Sequence, residues 1–313
     1  MVTAKEVAQA KERIGKYIYE TPIIRIQNLD EALGCQVYVK PENMQKTHSF
    51  KLRGALNKIL SLSPEQLEKG IVTVSSGNHG IGVAYAAKLL GVKATVVLTD
   101  TAPEIKINGI RDLGSQVMLC ELNSRQALAD SLVEEHGYTF VPPYDDEAII
   151  AGQGTCGLEI VRQLPEVDVI MTPVSGGGLV SGVAIGAKGE KSSVRVVGAE
   201  PAVVARYSQS LQAGEPVSLP KAASLADALL VTRPGKTNFP LVKQHVDQVV
   251  STSEEYIIKA VQLLSREGKI IAEPASSITM GAILEGNIRF KPDQKVCFLL
   301  SGGNTELPFL ASL

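Results

Sequence analysis

The chain has 313 residues, of which 44% are apolar and 20% charged, with a net charge of -2. That length suits one large domain or two ordinary ones, and so balanced a charge offers no broad basic field to nucleic acid or anionic membrane. Tryptophan is absent and aromatics make up only 4%, which leaves little for a base-stacking surface, and no apolar run reaches the length of a membrane span.

The N-terminal "MVTAKEVAQAKERIGKYI" reads as an amphipathic helix of mixed charge, without the apolar core of a signal peptide. The four cysteines, Cys35, Cys120, Cys156 and Cys297, are scattered and show no CxxC spacing. That pattern suits reduced thiols and a cytoplasmic location better than disulfides or zinc. "CQVYVKPE" reads as a strand that could pair with either of two sheets. From Ile71 the chain alternates: strand "IVTVS", helix "HGIGVAYAAKLLG", strand "VKATVVLT", helix "PEIKINGIRDLG", strand "SQVMLC", helix "SRQALADSLVEEHG", strand "YTFV". A second series begins near residue 151 with helix "GQGTCGLEIVRQL", strand "DVIMTPVS", helix "GLVSGVAIGAKG" and strand "VRVVGAE". A helix over 202–212 and an irregular stretch over 213–240 follow, then helices "SEEYIIKAVQLLSREG" and "SSITMGAILEG" and the final strand "KVCFLLSG". The prediction is an α/β fold of two parallel or mostly parallel units, with a seam near 142–147.

Ligands of such sheets bind where strand C-termini meet helices, and four loops of that kind stand out. "SGGGL" (Ser175, Gly176, Gly177, Gly178, Leu179) lets backbone N–H groups close around an anion at a helix N-terminus. A dinucleotide fingerprint fails there at its third glycine, where Ser181 stands, although Glu200 lies at the end of the next strand. "SSGNHG" (Ser75 to Gly80) carries hydroxyls, an amide and an imidazole between glycines. "SGGN" follows the last strand. "SFKLRG" puts Lys51 beside Phe50 at the start of a helix; taken alone this is a snorkelling surface charge, whereas a buried lysine is a Schiff-base nucleophile. A glycine-rich phosphate cup, an amine and polar loops on one sheet edge point to a phosphate-bearing aldehyde cofactor.

"SFKLRGA", "SSGNHG", "AGQGT", "SGGGL" and "SGGN" occur in an order and spacing that resembles the fold-type II pyridoxal-phosphate (PLP) enzymes, specifically the serine/threonine dehydratase and serine racemase group. The likeness runs from "TPI" at 21–23 to 301–304, and within the group it looks nearest to the short, catabolic-type threonine dehydratases. The resemblance implies a tryptophan synthase β-like fold with a large PLP-binding domain (1–47 plus 144–313) and a small α/β domain (48–143). It implies that Lys51 holds PLP as a Schiff base, Phe50 packs beside the ring, Asn78 bonds the ring 3′-oxygen, Ser175 to Leu179 take the phosphate, and Ser301 faces the pyridine nitrogen. Ser75, Ser76, Asn78 and His79 would receive the substrate carboxylate, with Arg125, Tyr144 and Asp227 near the substrate. A homodimer or homotetramer is also implied.

A serine hydroxyl supports a protonated pyridine less than a carboxylate does, so the ring should stay largely neutral and prompt β-elimination should be favoured. The implied reaction is the dehydration and deamination of L-threonine or L-serine to a 2-oxo acid and ammonia, with Lys51 as α-proton base. Serine racemase is the alternative, with Ser76 as the second acid/base, and so is a dehydratase of another β-hydroxy amino acid such as 3-hydroxyaspartate. A non-catalytic sensor on this scaffold is disfavoured by Lys51, since binding alone needs no Schiff base. "PPYDD" with Tyr144 resembles the threonine dehydratases, and Ser124-Arg125 resembles the racemases, which carry Glu where Gln126 stands. The chain runs nine residues past "SGGN", which argues for a form without a regulatory domain. The group's divalent-cation site falls on Glu200, Val204 and Arg206. An arginine in a ligand's place predicts no metal there and a Glu200–Arg206 pair instead.

Overall fold

Two α/β sheets meet along one cleft. A computed structural model describes residues 1–75, 77–102, 104–306, 308, 309 and 312. In chain order α1 (Ala4–Ile14) leads to β1 (Ile24–Arg25), α2 (Asp30–Leu33), β2 (Gln36–Pro41), α3 (Lys51–Leu60) and α4 (Pro64–Lys69). Strict alternation follows: β3 (Ile71–Val74), α5 (Asn78–Leu90), β4 (Ala94–Thr99), α6 (Glu104–Asp112), β5 (Gln116–Cys120), α7 (Arg125–His136) and β6 (Thr139–Phe140). The rest is α8 (Glu147–Gln163), β7 (Val169–Pro173), α9 (Gly178–Glu190), β8 (Arg195–Pro201), α10 (Arg206–Ala213), α11 (Asn238–His245), β9 (Gln248–Thr252), α12 (Glu254–Arg266), α13 (Pro274–Leu284) and β10 (Lys295–Leu300).

The larger sheet has the order β1-β2-β10-β7-β8-β9 and the smaller β5-β4-β3-β6. Every pairing is parallel except β1 with β2, so the α/β class read from the alternation is the class observed. Central strands are mostly apolar because helices cover both faces; all five residues of β7 are buried. The "CQVYVKPE" strand joins the larger sheet, Val37 opposite Val296 and Val39 opposite Phe298, because Val37 and Val39 complete that sheet's core.

Short β1, α2 and α4 were not expected, α10 starts at Arg206 rather than 202, and three further elements depart from the expected pattern. Helix α8 begins at Glu147 rather than Gly152, because Asp146 Oδ1 accepts the N–H groups of Ala148 (2.9 Å) and Ile149 (3.1 Å) as an N-cap. Helix α11 and strand β9 follow the irregular stretch. The α11 helix tolerates Pro240 in its first turn, and β9 is an edge strand whose pattern is only partly apolar.

Helix α3 binds the two units together. It packs against α8 and α1 on one side and α5 on the other. Buried Arg53 on α3 donates through Nε to Glu42 (2.7 Å) and through Nη1 to Glu159 on α8 (2.8 Å), and Lys40 Nζ reaches Glu159 at 2.7 Å. Burial alone would raise the Glu159 carboxyl, but Arg53 and Lys40 hold it down at about 2. This network fixes the helix whose first residue is Lys51.

Candidate active site

The C-terminal ends of β3, β7 and β10 and the start of α3 converge on a cavity of about 400 Å³. Every predicted site residue that the structure describes lines it: Phe50, Lys51, Ser75, Asn78, His79, Arg125, Tyr144, Ser175 to Leu179, Asp227 and Ser301. Ser76 lies outside the described residues.

Lys51 is set by a short antiparallel contact between the segment before α3 and the end of β10. Phe50 N–H donates to Ser301 O (3.0 Å), Gly303 N–H donates to His48 O (2.9 Å), and Ser49 bridges Gly302. Lys51 Nζ donates to Pro143 O at 2.6 Å and lies 5.2 Å from the centre of the Phe50 ring. Burial lowers this amine to about 8, while Glu273 pulls it upward. A substantial neutral fraction near pH 8 makes it a usable nucleophile and base, so it is not a surface charge.

The glycine loop leaves main-chain donors unengaged, as an anion would require. Among the described residues no protein group accepts from the N–H of Ser175, Gly176, Gly177, Gly178 or Leu179, and buried Ser175 Oγ has no partner. Gly177 takes φ +102°, and a Cβ there would lie 1.9 Å from Tyr207 Oη, so glycine is required. Tyr144 covers the loop from the other side: a Cβ on Gly176 would meet its ring at 2.3 Å.

Asn78 opens α5 at the end of the "SSGNHG" loop. Its Nδ2 donates to both Glu273 oxygens (3.0 Å each), and its Oδ1 accepts from Asn304 Nδ2 (2.8 Å). Those two partners define which end of the amide is the donor. His79 is buried, and its Nε2 faces Val141 O at 3.0 Å, which assigns the proton to that nitrogen. Burial, then the nearby Lys51, lowers the ring to about 3, so His79 is neutral and brings no charge to a carboxylate. Ser301 Oγ lies 3.1 Å from Ser276 Oγ, which also accepts from Gly302 N–H (2.8 Å). Arg125 Nε is held on Leu122 O (3.1 Å), leaving its terminal nitrogens for the cavity, and Asp227 sits exposed at the mouth.

The positions singled out for a cation engage one another. Arg206 Nη1 donates to Val204 O at 2.7 Å and lies 3.8 Å from Glu200 Oε2, all within the protein interior.

Glu273, Asn304 and Gln153 also line the cavity and were not picked out from sequence. Asn304 and Gln153 stand inside the motifs "SGGN" and "AGQGT", and only three-dimensional contact shows that they reach the site. Glu273 had a readable signal: a lone carboxylate before Pro274 in the apolar run "IIAEPASSI".

The sequence pattern of the family described as "Pyridoxal-phosphate dependent enzyme" matches residues 14–302. A serine racemase of Dictyostelium discoideum is 41% identical over 100% of this chain and 98% of its own. An L-threonine ammonia-lyase of Geobacter sulfurreducens is 39% identical over 96% of this chain and 75% of its own. The structure of maize serine racemase superposes with a TM-score of 0.95 at 34% identity, covering 99% of this chain and 96% of that one. These similarities correct the expectation of a likeness nearest to the short threonine dehydratases: the Dictyostelium serine racemase matches at higher identity and over more of its own length than a catabolic threonine dehydratase of Escherichia coli, at 36% identity and 94% of its own. The physical reason lies in Tyr144, whose ring packs against the glycine loop. The "PPYDD" segment therefore answers to the anion seat as much as to any substrate.

The residues fit the cofactor: unengaged N–H groups for a phosphate, an amine of lowered basicity for an aldehyde, and an oriented amide between them. The chain belongs to the pyridoxal-phosphate-dependent enzymes, is a catalyst of that family, and takes pyridoxal 5′-phosphate as its cofactor.

Proposed function

We propose that the protein is a serine racemase with an accompanying β-elimination activity that turns serine into a 2-oxo acid and ammonia. The observation that carries this reading is the likeness to a serine racemase along the whole chain, at 41% identity. Elimination is favoured as a companion by the L-threonine ammonia-lyase at 39% identity and by the Ser301 hydroxyl facing the cavity.

Bound PLP supplies an electron-withdrawing ring that acidifies the α-hydrogen of the amino acid joined to it. In our reading Ser175 to Leu179 hold the phosphate through backbone N–H groups, and Asn78 gives the ring oxygen its second N–H, the first being engaged by Glu273. Ser301 faces the ring nitrogen, sharing its one hydroxyl proton between that nitrogen and Ser276. Lys51 Nζ anchors the cofactor and then removes the α-proton, and an amine near 8 is suited to both taking and returning it. The loop from Ser75 to His79 takes the carboxylate at the N-terminus of α5, where hydroxyl and main-chain N–H groups serve as donors. Racemisation needs proton delivery from the opposite face, and we assign that to Ser76. Arg125 and Asp227 at the mouth would select the substrate side chain. We further divide the chain into 1–47 plus 144–313 and 48–143, with substrate binding between the two.

Incubation with L-serine, L-threonine and threo-3-hydroxyaspartate, followed by assay of D-serine, 2-oxo acid and ammonia, tests the reading. D-serine from L-serine supports it. Oxo acid from every substrate with no D-serine would overturn the racemase assignment and leave an eliminase.

A further inference from the structure

The anion seat is shaped from behind by two buried side chains at the start of α10. Arg206 Nε donates to Ser175 O (3.0 Å), and its Nη2 donates to Val174 O. Tyr207 Oη donates to Gly176 O at 2.9 Å. Neither residue is exposed at all. Three consecutive carbonyls, 174 to 176, are thus drawn toward one helix turn. A trans peptide unit holds its C=O and N–H on opposite sides. Drawing these carbonyls back therefore turns the N–H groups of Ser175, Gly176 and Gly177 forward, and those are groups for which the described protein offers no acceptor.

The turn is itself held in place. Glu200, at the end of β8, accepts from Tyr207 N–H (2.9 Å) and Ser208 N–H (2.7 Å), capping α10 with a carboxylate. The fit is close, because Tyr207 Oη occupies the space that a side chain on Gly177 would need. The arrangement also leaves a guanidinium fixed behind the loop, where its charge favours an anion in front without touching it.

We infer that Arg206 and Tyr207 are positioning residues for the phosphate seat, acting through the loop carbonyls, with Glu200 fixing the turn that carries them. The inference rests on the reading that Ser175 to Leu179 take the cofactor phosphate. It predicts a selective defect. Tyr207→Phe loses one donor to Gly176 O, and Arg206→Lys keeps the charge but not the forked geometry. Both variants should weaken the seat for phosphate while leaving the ring and Lys51 contacts alone.

The test titrates the full-length chain, stripped of cofactor, with three probes: pyridoxal 5′-phosphate, pyridoxal without the phosphate, and inorganic phosphate as competitor. Tyr207→Phe should bind pyridoxal 5′-phosphate and inorganic phosphate about five-fold more weakly, the effect of one neutral hydrogen bond. Arg206→Lys should weaken both by about ten-fold or more, as expected where a charged group donates. Pyridoxal should bind all three proteins alike. Equal weakening toward pyridoxal and its phosphate would mean general loosening and overturn the inference, as would unchanged phosphate binding in both variants. Wild-type protein that holds pyridoxal 5′-phosphate no better than pyridoxal would refute the phosphate-seat reading itself, and the inference would fall with it.

Discussion

Glu273→Gln isolates one charge at the centre of the site. Glu273 is buried, accepts from Asn78 Nδ2 at 3.0 Å on both oxygens, and is the group that raises the basicity of Lys51 against burial. Glutamine keeps the size and one acceptor but removes the charge. An ion pair across a partly hydrated cavity contributes about 1 kcal/mol, or about five-fold in amine basicity at 1.36 kcal/mol per ten-fold. With Lys51 at about 8, roughly a tenth of the amine is neutral at pH 7; the substitution would raise that to about a third. The assay follows the rate at which cofactor-free protein captures pyridoxal 5′-phosphate covalently, as visible absorbance, across pH 6 to 10. Capture needs the neutral amine, so the rate should rise with pH in both proteins, with the midpoint displaced to lower pH in the variant. Because the charge-assisted bond to Asn78 becomes a neutral one, cofactor retention should also fall by about five-fold. A midpoint that stays in place, or moves to higher pH, would refute the assignment of Glu273 as the group that sustains Lys51 protonation.

Other outcomes follow from the same geometry. Lys51→Ala should abolish the visible absorbance and reduce turnover to background; survival of both would remove Lys51 from its assigned role. Arg53→Leu strands Glu42 and Glu159 without their shared partner and should cost about 3–5 kcal/mol in urea unfolding; a loss under 1 kcal/mol would show that the network is not needed. Glu159, held at about 2, contributes stability that is complete above its ordinary value and lost as pH falls from about 4.5 toward 2, so Arg53→Leu should flatten the acid limb of the stability curve. Turnover should be unchanged after treatment with EDTA, because Arg206 engages Val204 O and lies beside Glu200; a clear loss would contradict our reading of those positions.

Local pattern carried most of the fold. The alternation of apolar strands and helical segments from Ile71 onward was legible because each element obeys its own period, and parallel strands buried on both faces leave continuous apolar runs. Strand β9 was not, since an edge strand needs apolar residues on one face only. The start of α8 was missed because its cap, Asp146, sits inside a run of turn-forming residues. At the site, glycine clusters and Lys51 stood out as chemistry with a local signature. Glu273, Asn304 and Arg206 act across 195, 226 and 31 residues of sequence separation, on Asn78, Asn78 and Ser175. No local spacing rule reports contacts of that range. The substrate preference was the least legible part: Tyr144 looked like a substrate residue, yet it packs against the anion seat.

In the proposed reaction Lys51 and a second group on the opposite face exchange the α-proton of serine. The most direct measurement is incubation of the holoenzyme with L-serine in deuterated water, with chiral separation and mass analysis of the recovered amino acid. D-serine carrying deuterium at the α-carbon should form, together with some 2-oxo acid, and both should be lost in Lys51→Ala. Oxo acid accompanied by unlabelled L-serine and no D-serine would contradict it.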